Sequence, residues 1–128
     1  MFVNIDPYKK IIRLWLIFMF LMVLVIITIG GLTRLTDSGL SITEWELVKG
    51  IFPPFNTERW NLYFDEYKKT PEFKSVNFNM TIDEFKVIYY WEYIHRLIAR
   101  LIGLFAIIPL FFLNFKKIVF EKNYLVFA

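Results

Sequence analysis

The sequence predicts an all-α membrane protein, two transmembrane helices joined by a long outer loop that carries short helices. Three observations lead there. Leu14–Leu32 is a run of nineteen residues without a charge. A second apolar run, LIGLFAIIPLFFLNF, ends at Phe115. Across the chain 57% of residues are hydrophobic and 20% aromatic, an apolar share above that of a soluble domain this size.

Residues 1–13 form a polar amino-terminal segment with Lys9, Lys10 and Arg13 against Asp6. The first transmembrane helix is expected over 14–32; nineteen residues at about 1.5 Å each come close to the hydrocarbon thickness of a bilayer. A cleaved signal peptide is the competing explanation. The run is long for one, and no A-x-A-like site follows it.

Residues 33–86 are the loop, with seven Lys/Arg against nine Asp/Glu. Gly50 before Pro53-Pro54, and Thr70-Pro71, are breaks between short helices. Ser41-Ile42-Thr43-Glu44 and Thr81-Ile82-Asp83-Glu84 both have capping-box spacing. Over 57–69, Trp60, Tyr63, Phe64 and Tyr67 recur at helical spacing, as an amphipathic helix packed on the membrane surface or a loop core requires.

From about Thr81 the chain can run as one helix to Phe115, with the second transmembrane span at 87–115. Tyr89, Tyr90, Trp91 and Tyr93 are expected to form an interfacial aromatic belt. Pro109 should kink the helix or be absorbed by neighbours. Residues 116–128 are a short basic tail. Basic residues at both ends and a loop negative by two predict both termini in the cytoplasm and the loop outside, in a bacterial cytoplasmic membrane.

Composition also excludes. With no cysteine there are no disulfides, thiolate zinc sites or cysteine nucleophiles. No Lys/Arg stripe tracks phosphates, so no nucleic acid is expected. The lipid membrane is the expected partner.

The candidate site is Trp91-Glu92-Tyr93-Ile94-His95-Arg96-Leu97-Ile98-Ala99-Arg100. His95 is the only histidine. Ionisable groups at membrane depth are costly and tend to mark function. An imidazole on a helix is also suited to hold a heme iron. Glu92 and His95, three apart, share a helix face. Ala99, Ile102, Gly103 and Ala106 continue that stripe and would admit a porphyrin or a neighbouring helix. Arg96 and Arg100 could pair with heme propionates. The plainer alternative is that the cations snorkel to headgroups and that Glu92 and His95 share a local hydrogen bond. Carboxylate-bridged metal sites and hydrolytic zinc sites need more ligands than the segment offers.

Several ordered motifs resemble the heme A synthase family. They are Gly30-Gly31-Leu32-Thr33-Arg34-Leu35-Thr36-Asp37-Ser38-Gly39-Leu40-Ser41, then Lys49-Gly50-Ile51-Phe52-Pro53-Pro54, and Trp60 with Phe64, Tyr67 and Lys68. Thr81-Ile82-Asp83-Glu84-Phe85-Lys86 and Trp91-Glu92-Tyr93-Ile94-His95-Arg96 complete the order. The cysteine-free loop resembles the proteobacterial and mitochondrial branch. The resemblance implies an eight-helix membrane oxidoreductase built of two four-helix halves, which oxidises the C8 methyl of heme O to the formyl of heme A for cytochrome oxidase.

By that resemblance His95 is the metal ligand facing substrate heme O and Glu92 is catalytic; Arg96 and Arg100, from their place near the outer edge, are expected to bind the cofactor's propionates. The resemblance covers about residues 25–115, and Ala99 stands where the family often has glycine. The fourth-helix histidine and the second half, where heme b is expected, lie beyond this chain. It is therefore expected to be an amino-terminal fragment, the first part of a four-helix half, inactive unless a separate chain supplies the missing helices. The alternatives are a non-catalytic membrane hairpin or remnant pairing with another helical membrane protein, and a two-helix anchor presenting its loop.

Overall fold

A computed structural model describes residues 6–43 and 51–115. Within them the chain forms four helices and no strand: α1 at Asp6–Leu35, α2 at Thr57–Lys68, α3 at Pro71–Ser75 and α4 at Ile82–Phe115. The proposed cap at Glu44, the Lys49-Gly50 pair and the tail from 116 lie outside the described residues.

α1 and α4 are the two helices long and apolar enough to cross a membrane. None of the most apolar window of α1, and 6% of that of α4, is buried by protein. Leu16, Phe20, Ile27, Ile108 and Phe111 stand more than half exposed. In water such faces would aggregate, whereas lipid covers them. The chain is therefore membrane-associated and all-helical, as its sequence predicts.

Contacts divide the chain into two compact units. The first holds the described residues of 6–25 and 99–115. α4 continues past Pro109 without ending. Proline has no N–H, so the carbonyl of Phe105, four residues earlier, loses its helical donor. Trp15 of α1 supplies one: its indole Nε1–H donates to Phe105 O at 2.8 Å. Phe18 meets the Phe105 ring edge-on at 5.2 Å. The stranded carbonyl is thus absorbed by a neighbour, one of the two outcomes expected for Pro109.

The second unit spans residues 26–98. α1 ends because Asp37 adopts φ 47°. Ser38 N then donates to Thr33 O at 3.0 Å and Asp37 N to Arg34 O at 3.4 Å, which closes the last turn in a Schellman pattern. α2 starts at Asn56, whose Oδ1 accepts from Arg59 N at 3.0 Å. Thr70 caps α3, with Pro71 in its first turn. The capping box predicted at Thr81 forms: Thr81 N and Oγ1 both donate to Glu84 Oε2, at 2.7 and 2.8 Å.

The core of this unit is aromatic. Trp60, Phe64 and Tyr67 of α2 are buried against Phe85, Ile88 and Tyr89 of α4. Tyr67 stacks on Phe85 at 5.1 Å, and Trp60 meets Tyr89 edge-on at 5.0 Å. The α2 stripe therefore packs on a loop core. The expected aromatic belt is corrected in part. Tyr89 is buried in that core, and the Tyr93 hydroxyl donates to Ile51 O at 2.7 Å, while Tyr90 stays exposed. α2 offers these rings a dry protein surface, which competes with the membrane interface. Burial also raises the Tyr67 hydroxyl above its ordinary pKa, even though Asn77 donates to it.

Candidate functional site

The amino-terminal half of α4 carries the polar residues the sequence singles out, and the chain after α1 comes back to meet them. Glu92 is buried, with 6% of its surface exposed. Its Oε2 accepts from Ser41 Oγ at 2.7 Å and from Ile42 N at 2.9 Å. Its Oε1 accepts from Arg96 Nε at 2.9 Å and, in a shorter contact, from Arg96 Nη2. The same Nη2 reaches Ile42 O at 3.3 Å. One carboxylate thus takes four hydrogen bonds from three residues, and a guanidinium bridges α4 to the turn after α1. Burial of such a pair costs desolvation that full hydrogen bonding offsets.

Ser41 is itself buried, and its Oγ also lies 3.3 Å from Ile88 O. It does not cap a described helix, as the sequence suggested, because residues 41–43 are not helical. The serine is claimed instead by a carboxylate 51 residues away. Ser38, fully buried, donates its hydroxyl to Thr33 O at 2.9 Å. Thr33 in turn donates to Gly30 O at 2.8 Å. A continuous path of hydrogen bonds and short chain links therefore runs from Gly30 to Glu92.

His95 lies one turn beyond Glu92 but does not join this network of carboxylate bonds. Its imidazole is half-buried against α1 at Gly30. A Cβ at Gly30 would stand 3.2 Å from His95 Nε2 and 3.6 Å from Cδ2. The absent side chain makes the cradle in which the ring edge sits. Among the described residues no group of three or more His, Cys, Asp or Glu could hold a metal ion. Any iron held here would depend on the single imidazole and on the porphyrin that carries it. At Gly30 the Nε2 edge of the ring packs against the α1 backbone, which fills the space on that side; an iron would be held through Nδ1, or through Nε2 once the ring turns away.

Glu92, His95 and Arg96 are thus gathered near the end of α1. Arg100 falls in the other unit and has an interaction of its own. Gly103, on the expected stripe of small residues, has nothing within 4 Å of where its Cβ would be. The residues that the sequence alone did not assign are Gly30, Ser41 and Ile42. The signals for Gly30 were a glycine pair inside a helix, where glycine is unfavourable, and its place at the head of the first family-like motif.

A family model described as cytochrome oxidase assembly protein matches residues 13–127. The chain is 58% identical over 125 residues to a heme A synthase of Pelagibacter ubique, covering 96% of this chain and 37% of that relative. It is 46% identical over 117 residues to a heme A synthase of Rickettsia felis, covering 91% and 35% respectively. Over 111 residues it is 49% identical to a heme A synthase-mitochondrial ferredoxin fusion protein of Schizosaccharomyces pombe, covering 87% of this chain and 18% of the relative. The chain spans about a third of the length of the bacterial relatives it matches. No solved structure matches it.

Proposed function

Since the chain belongs to the family of cytochrome oxidase assembly proteins, we propose that it serves heme A formation, oxidising the C8 methyl of heme O to the formyl of heme A. The observation that carries this reading is the sole histidine, His95, one turn after buried Glu92 and beside the Arg96 that Glu92 holds. In this reading heme O is the substrate and brings the methyl; its conversion to a formyl takes one water oxygen and releases four protons and four electrons, the electrons passing to an external acceptor that this chain's residues do not supply.

His95 holds the iron through a ring nitrogen. Arg96 and Arg100 bring positive charge to the propionates, Arg96 while keeping its bond to Glu92. Glu92 stands near the reacting methyl as the proton acceptor. Its hydrogen bonds to Ser41, Ile42 and Arg96 orient it. The four bonds on Glu92 also favour a second reading, in which it positions Arg96 and the turn at Ser41 and does no proton chemistry.

Two membrane helices do not surround a porphyrin, so the pocket takes further helices, on the same polypeptide or on a separate chain. A second heme, heme b, is assigned to none of the residues here. The membrane is a bacterial cytoplasmic membrane, with the loop of residues 33–86 on the outer side and both ends of the chain inside, in line with the basic residues flanking the spans.

A chimera tests the proposal. This chain replaces the aligned segment of the Pelagibacter ubique heme A synthase in a host without heme A. Heme A should accumulate. A chimera that inserts at the parent's level but makes only heme O would contradict the assignment.

A further inference from the structure

We propose that Gly30 is the positioning residue for His95: the missing Cβ sets where the imidazole rests and so which nitrogen it presents to a heme iron. The functional half of this inference rests on the reading of His95 as iron ligand, whereas the positional half does not.

The two glycines that close the apolar run of α1 are not equivalent. A Cβ at Gly30 would come within 3.2 Å of His95 Nε2, tighter than ordinary van der Waals contact, whereas a Cβ at Gly31 would meet nothing within 4 Å. Alanine at 30 therefore needs either the backbone or the imidazole to move. The backbone is tied on the α1 side. Gly30 O accepts from Thr33 Oγ1 at 2.8 Å, and Thr33 O accepts from both the amide and the hydroxyl of buried Ser38. It is tied on the α4 side as well, where Ser41 Oγ and Ile42 N hold Glu92, one turn before His95. The imidazole, with two rotatable bonds, is the part that gives way. Groups that orient a metal-binding histidine commonly govern affinity without touching the metal.

His95 is the only histidine, so it can be read directly. The whole chain is labelled with 15N and 13C at histidine, carried on a tag without histidine and placed in lipid nanodiscs without heme. The imidazole resonances of Gly30→Ala should shift or split relative to the parent, and those of Gly31→Ala should not. Superimposed Gly30→Ala and parent spectra, or equal shifts in both variants, would overturn the proposal. If Gly30→Ala does not fold, the same change is made with His95→Ala, which removes the ring the Cβ meets. Recovery of the folded yield supports the proposal and continued loss defeats it.

Heme O titration of the Pelagibacter ubique chimera then reads the functional half. Gly30→Ala should weaken binding roughly tenfold or more, with Gly31→Ala close to the parent. A shifted imidazole with no heme binding even in the parent chimera leaves the positional role standing and removes the heme reading. Unchanged affinity alongside a shifted imidazole removes the functional half alone.

Discussion

The indole Nε1–H of Trp15 donates to the main-chain carbonyl of Phe105 at 2.8 Å, filling the place of the helical donor that Pro109 lacks. A proline thus stays inside a membrane-length helix because another helix satisfies the carbonyl it strands.

Trp15→Phe should cost about 1 kcal/mol, the usual worth of one such bond in protein or membrane. In a Pro109→Ala background the helix supplies its own donor, and the same substitution should cost much less. Unfolding measured in detergent over the four-member cycle gives the coupling. Equal costs in both backgrounds would detach the indole from the proline.

The Glu92 bridge makes a second prediction. Ser41→Ala removes one hydrogen bond to a carboxylate and should cost about 2 kcal/mol. Glu92→Ala leaves the Arg96 guanidinium in a partly buried place without its partner, and should cost about 3–5 kcal/mol. Denaturant unfolding ranks the two, and a larger loss from Ser41→Ala than from Glu92→Ala would contradict the bridge as drawn.

In the chimera, Glu92→Gln separates the two readings of that carboxylate. Proton acceptance predicts that heme O still binds while heme A formation stops. A positioning role predicts that binding and conversion fall together. Absorbance titration and heme chromatography on one preparation distinguish them.

Tyr67 should give the loop core an alkaline sensitivity. Burial raises its pKa above the ordinary 10.0, so the folded state holds the proton more tightly than the unfolded one. That contribution is fully present below pH 10 and is lost as pH rises through the folded value. Tyr67→Phe should cost about 1 kcal/mol at neutral pH, for the lost Asn77 bond. It should also lose less stability than the parent between neutral pH and roughly pH 11. Parallel pH slopes would show that the core does not depend on this hydroxyl.

What the sequence shows and what it conceals divide by distance along the chain. The capping box at Thr81 is legible because its partners are three residues apart and one helical turn fixes their meeting. The α2 stripe and the long helix from about Thr81 are legible for the same reason, since periodicity is a local property. Ser41 fits a capping box equally well, yet its partner is Glu92, and nothing local announces a bond across 51 residues. Tyr89 is ambiguous in principle: an aromatic ring at a helix start suits the membrane interface and a protein core alike, and α2 decides between them. Trp15 reads as one more apolar residue until Pro109 is seen to strand the carbonyl it reaches. Within the candidate site, Glu92, His95 and Arg96 stand out as ionisable groups in an apolar setting. Gly30 is marked in the sequence by its glycine pair and its motif, but its contact with His95 is legible only once the imidazole beside it is seen.

The most direct test of the account is one substitution, His95→Ala, in the chimera with the Pelagibacter ubique enzyme, with bound heme O and product heme A both quantified by chromatography. The account predicts that the variant inserts as the parent does, loses heme O from this site and forms no heme A. A His95→Ala chimera that retains heme O and converts it at the parent rate would contradict the account at its centre.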